Sequence, residues 1–131
     1  MIIITLLNKV VDFLSSFKDR LYNWKRGYGF IPTLYYADPK RQIALKVLPI
    51  LQAYRKLIAD GQNYSLPEWV VNNDNVKNFS AAQLNKIWLE YLTEMIHAFE
   101  LILAEDYKAE YEVEIDKGLA LFATYYQHLW D

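Results

Sequence analysis

The sequence predicts an all-α protein, a small bundle of about four helices with an aromatic-rich loop after the first. Three observations lead there. Apolar residues recur at helical spacing along most of the 131 residues. Helix-starting and helix-stopping residues (Asp38-Pro39, Gly61, Ser80 with Gln83) divide those stripes into segments of ordinary helix length. No second strand-like run exists to pair with the single alternating stretch near residue 111.

In the first segment Ile3, Leu7, Val10, Leu14, Phe17, Leu21 and Trp24 follow one another at spacings of four and three, with Asn8, Lys9, Asp12, Ser15, Ser16, Asp19, Arg20 and Asn23 on the remaining faces. Such a stripe suits a coiled-coil partner, a membrane surface or the protein's own core, and in a short globular chain its own core is the expectation. Lys18, Arg20, Lys25 and Arg26 suit the negative end of the helix dipole, and Gly27 supplies the stop. Residues 27–37 (GYGFIPTLYYA) read as an ordered loop pinned by ring packing. Asp38 then caps a helix with Pro39 at its first position, where the missing N–H costs nothing. Its expected stripe is Ile43, Val47, Ile50, Leu51, Tyr54, Leu57 and Ile58, kinked but not ended at Pro49 and closed by Gly61.

Residues 62–79 are rich in Asn and turn formers, with a short turn expected at Leu66-Pro67-Glu68-Trp69. Ser80 and Gln83 form a capping box that opens a helix carrying Leu84, Trp88, Tyr91, Met95, Ala98, Phe99 and Ile102 on one face. Residues 105–116 are strongly acidic, and Tyr111, Val113 and Ile115 alternate with Glu112 and Glu114. A helical stripe of Tyr111, Ile115, Leu119, Phe122, Tyr126 and Leu129 outweighs that alternation and predicts a last helix at roughly 109–130. An unbroken helix from Ser80 onward would be about 75 Å long, too long for the domain, so a bend falls near 104–108.

The composition, 53% hydrophobic and 23% charged, describes one folded domain over residues 1–131. The absence of cysteine excludes a disulfide scaffold, an iron–sulfur site and a cysteine nucleophile. MIIITLL stops at Asn8 and Lys9, too short for a signal or an anchor, so neither export nor a membrane span is expected. The net charge of −2 conceals a basic half, residues 1–65 with ten Lys or Arg against four acids, and an acidic half with four against twelve. Opposite halves of this kind favour internal complementarity or a bipolar surface.

Catalytic chemistry is thinly supplied. Glu94-x-x-His97, with Glu90 and Glu100 nearby, is half of a carboxylate-bridged di-metal pattern, and the last helix offers His128 with Gln127 and Asp131 in place of the other half. The acids Glu110, Glu112, Glu114 and Asp116 read as a solvated face, and Gly27-Tyr28-Gly29 lacks the Lys-Ser/Thr of a phosphate loop. No enzyme, metal or cofactor is expected. Twenty-one aromatic residues, eleven of them tyrosine, exceed what a core of short helices requires. The group Tyr28, Phe30, Tyr35, Tyr36, Lys40 and Arg41, with Trp69 second, is the candidate binding surface. A protein partner or another copy of the chain is the first occupant expected. A small nucleotide-like ligand held by the rings with Lys25, Arg26 or Arg41 is the second, and nucleic acid the third, disfavoured by the acidic half.

Ile43-Ala44-Leu45-Lys46-Val47-Leu48-Pro49-Ile50-Leu51-Gln52-Ala53-Tyr54-Arg55, then Ile96-His97-Ala98-Phe99-Glu100, then the run from Gly118 to Asp131 (GLALFATYYQHLWD) are hydrophobic and aromatic packing patterns. Over residues 43–131 the chain resembles a family of small, uncharacterised helical proteins of tailed bacteriophages. The resemblance implies a phage origin and expression in the host bacterial cytoplasm, with virion association open, and no site residues. The expected function is non-catalytic binding through protein–protein contact with a host factor, a virion component or itself.

Overall fold

The structure is a computed structural model and describes residues 1–130. Among these residues there are five α-helices, α1 (Ile2–Lys25), α2 (Thr33–Ala37), α3 (Pro39–Ala59), α4 (Ala81–Ile102) and α5 (Tyr111–Tyr125). Short 3₁₀ segments occur at Glu68–Val70, Asn73–Asn78 and Tyr126–His128, and no strand is present among the described residues. The protein is therefore all-α. Where the sequence reads as a single domain, the contacts gather into two compact units, Met1–Gln42 and the chain from Ile43 onward. The α3 helix starts in the first and continues into the second.

In the first unit α1 stops where expected. Gly27 takes φ +85°, a left-handed conformation that costs an L-residue about 1–2 kcal/mol. This lets the Tyr28 N–H reach back to the Asn23 carbonyl at 2.9 Å and the Gly27 N–H to that of Trp24 at 3.1 Å. The segment expected to be loop contains the short α2. Its first N–H, on Thr33, is capped by the carboxylate of Asp19 at 2.7 Å. That cap lies fourteen residues back, where local spacing cannot reveal it.

The second unit is built on α4. The capping box is formed: Ser80 Oγ accepts from the Gln83 N–H at 3.2 Å and Gln83 Oε1 from the Ser80 N–H at 2.8 Å. Leu84, Trp88, Leu92, Met95, Ile96, Ala98 and Phe99 are buried, more than half of the unit's fully buried apolar residues. From α3, Ala44, Leu51 and Ile58 join them at intervals of seven, and the helix runs unbroken through Pro49. Its buried face is turned slightly from the expected stripe, for Ile43 and Ile50 are exposed while Ala44 is buried. The expected turn near Leu66-Pro67-Glu68-Trp69 is the 3₁₀ segment Glu68–Val70. The second 3₁₀ segment, Asn73–Asn78, carries no apolar period that would announce it. Residues 103–110 contain no helix, so the bend expected at 104–108 is a full break.

In this unit α5 packs closely on α4, and a missing side chain makes it possible. A Cβ on Gly118 would lie 2.5 Å from the Glu94 carbonyl oxygen and would overlap the Ala98 methyl. The helices run antiparallel, since Tyr125 meets Tyr91 and Trp88 while Glu114 meets His97. Phe122 packs edge-on to Phe99 at 5.3 Å. Gly118→Ala gains roughly 1 kcal/mol of helix propensity but forces α5 outward, and overpacking costs about 1–3 kcal/mol plus lost ring contacts. A net loss of about 1–2 kcal/mol is expected, read as a lower denaturation midpoint at unchanged m-value.

Candidate functional site

The first unit holds six of the seven candidate residues. Their scaffold is Asn23, fully buried at the end of α1. Its amide Nδ2 donates to the Ile31 carbonyl at 2.7 Å and to Thr33 Oγ1 at 3.2 Å, and its Oδ1 accepts from the Tyr36 hydroxyl at 2.6 Å. Three bonds satisfy an amide that would otherwise be expensive to bury. Thr33 also donates its hydroxyl and its N–H to Asp19, and these bonds hold the Asp19 carboxyl below its ordinary value.

On this scaffold Tyr28 packs against Tyr36 at 5.3 Å between ring centroids. The Arg26 guanidinium lies over both the Tyr28 ring (4.9 Å) and the Tyr22 ring (5.2 Å). Phe30 meets Phe17 of α1 edge-on at 5.8 Å. Tyr28, Phe30, Tyr36, Lys40 and Arg41 are exposed, whereas Tyr35 is half-buried. The structure thus brings Tyr28 and Tyr36 together with Arg26 and places Phe30 beside α1. Lys40 and Arg41 stand in the first turn of α3, where the Arg41 N–H is directed to the Asp38 carboxylate at 3.4 Å.

Trp69 belongs to the second unit. It stacks on His128 at 4.9 Å and meets Trp88 edge-on at 5.7 Å. Half-buried in that way, it serves ring packing around the core and does not join an exposed surface. The Glu94-x-x-His97 pair is likewise engaged. Glu94 binds Lys117 of α5 at 3.0 Å, and His97 Nε2 lies 2.7 Å from Glu114. Among the described residues no three His, Asp, Glu or Cys side chains gather in a way that could hold a metal ion.

The largest feature of the first unit lies on α1 itself. Met1 to Lys18 are all exposed, and with them Ile2, Ile3, Ile4, Leu6, Leu7, Val10, Val11, Phe13, Leu14 and Phe17. Ile2 is 78% and Phe13 69% accessible. Within the first unit the stripe from Ile3 to Phe17 stays exposed, so this unit supplies no core of its own for it. Asn23, the one buried residue of α1, is polar. The sequence did carry a sign of this in Ile4, Leu6, Val11 and Phe13, which widen the apolar face beyond the three-four stripe. No helix of the described residues is long and apolar enough to cross a membrane.

Compared with family models, with curated proteins and with solved structures, the chain matches none of them.

Asn23→Ala leaves the Tyr36 hydroxyl and the Ile31 carbonyl without this partner, at about 1–3 kcal/mol for each group that stays dry. Faster amide exchange across residues 31–37, with protection in α4 unchanged, is the expected result. Asp19 has its folded value depressed, so its cap on Thr33 is fully present above the ordinary carboxylate range. The cap is lost as pH falls through the lower folded value. The Thr33 amide resonance should titrate in that acid range and become insensitive to it in Asp19→Asn.

Proposed function

We propose that this protein is a non-catalytic binding protein that works through protein–protein contact, with the apolar face of α1 as its docking surface. The observation that carries this reading is the run of ten large apolar side chains from Ile2 to Phe17, all exposed. A contiguous apolar surface of this kind is costly in water, and single scattered apolar residues would not raise the same question. The ring of Phe30 adjoins this stripe at Phe17, whereas Tyr28, Tyr36 and Arg26 stand beside Asn23 and Tyr22 on another side of α1, where they add ring and cation of the types that enrich interface centres.

The resemblance of residues 43–131 to small helical proteins of tailed bacteriophages supplies the setting of the proposal: a phage protein acting in the host bacterial cytoplasm on a host factor, a virion component or another copy. The second unit then acts as the stable body that carries the docking helix. A photo-cross-linking residue at Leu14 of the full chain, expressed in bacteria, is expected to give protein adducts that are absent when the same residue replaces the exposed Gln52 of α3. Equal adducts from both positions, or none from position 14, would overturn the proposal.

A further inference from the structure

We infer that the occupant of the α1 face is a second copy of this chain, with the two α1 helices paired antiparallel; this rests on the proposed docking role of α1 and names its partner. The stripe has the period of a coiled-coil seam. Ile3, Val10, Phe17 and Trp24 take one of the two seam positions, and Leu7, Leu14 and Leu21 take the other, over three heptads without a break.

The residues flanking the seam decide the orientation. On one flank stand Ile4, Val11, Lys18 and Lys25, and on the other Leu6, Phe13 and Arg20. Both flanks are apolar toward the N-terminus and basic toward the C-terminus. In a parallel pair Arg20 of one copy would face Lys25 of the other, like against like. In an antiparallel pair centred near Asp12, Leu7 packs on Phe17, Val10 on Leu14 and Ile3 on Leu21 of the other copy. Lys18 then lies across Ile4 and Arg20 across Leu6, so that the aliphatic stems cover apolar surface while the charges reach water. No like charges meet, and the dipoles of the two helices run in opposite directions.

Size and charge fit as well. Ten apolar side chains per copy, at the roughly 60–120 Å² each that transfer scales imply, remove on the order of 1,200 Å² or more from water over two copies, the range of a stable dimer. The opposite face of α1 carries Lys9 against Asp12 and Asp19 among Thr5, Asn8, Ser15, Ser16 and Asn23. An interfacial membrane helix is rich in Lys and Arg along its polar face, whereas here Lys9 is the one cation before Lys18 and the others, Lys18, Arg20 and Lys25, gather on the flanks of the last two turns.

The test uses the full chain. Sedimentation equilibrium is expected to give twice the 15.5 kDa chain mass, and Leu14→Glu, which places an acid in two seam layers of an antiparallel pair, to raise the dimer dissociation constant about 100-fold or more. Amide exchange protection in α4 checks that the second unit of this variant stays folded. Asp12→Asn, on the outer face, should leave the dimer intact. The chain has no cysteine of its own, so Ile4→Cys and Lys18→Cys chains can be mixed and oxidised. Disulfides joining position 4 to position 18 are expected to outnumber those joining 4 to 4. A dimer linked chiefly 4 to 4 would overturn the antiparallel pairing. A monomer that floats with phosphatidylglycerol vesicles would overturn the inference in favour of a lipid surface. A monomer that still gives Leu14-position adducts with another protein would overturn self-pairing alone, and a monomer with no adducts would remove both self-pairing and the docking role of α1.

Discussion

The second unit depends on how closely α5 approaches α4, and that distance is set by the absence of a side chain at position 118. With Gly118 against Ala98 and the Glu94 carbonyl, the two backbones come near enough for Phe122 to reach Phe99 and for Tyr125 to reach Tyr91 and Trp88. Trp88, fully buried, then has Tyr54, Trp69 and Tyr125 around its ring. The polar pairs at the rim, Glu94 with Lys117 and His97 with Glu114, follow from the same register. They are largely exposed and add little energy by themselves. Their positions explain why a fragment that resembles half a metal site is engaged across a helix pair.

The first unit is organised on a different principle. It contains no apolar core residue, and its fixed point is a polar one, the buried amide of Asn23. Hydrogen bonds from Asn23 and Asp19 hold the segment after α1 in place, and α2 forms because Asp19 caps it. Polar wiring of this kind fixes geometry without burying apolar area, so the apolar face of α1 stays available. That separation underlies the functional proposal: a stable body in one unit and an apolar helix in the other.

The candidate surface was partly legible in the residues. Tyr28, Phe30 and Tyr36 are exposed as the loop composition suggested, yet the Tyr36 hydroxyl is committed to Asn23 and Tyr35 is half-buried. Trp69 could not be separated from that group by composition, because Trp suits an interface and a core edge equally well; its neighbours Trp88 and His128 lie nineteen and fifty-nine positions away in the chain. What covers the stripe of α1 is not legible in the residues for a related reason. A three-four stripe reports that one face of a helix avoids water, and it does not report what covers that face.

What the sequence determined by itself is local. Periodicity and capping chemistry act within a few residues, and they set the all-α class, the stop at Gly27, the starts at Asp38 and Ser80, the passage of α3 through Pro49 and the interruption before α5. What the tertiary structure decided is everything that joins distant positions. These are the Asp19 cap that turns Thr33–Ala37 into a helix, the α4–α5 contact at Gly118, the packing of Trp69 against the core and the exposure of α1 within the first unit. The Asp19 cap depends on a polar contact fourteen positions away, and the others on which apolar faces find one another; burial is non-directional, so spacing along the chain leaves that choice open.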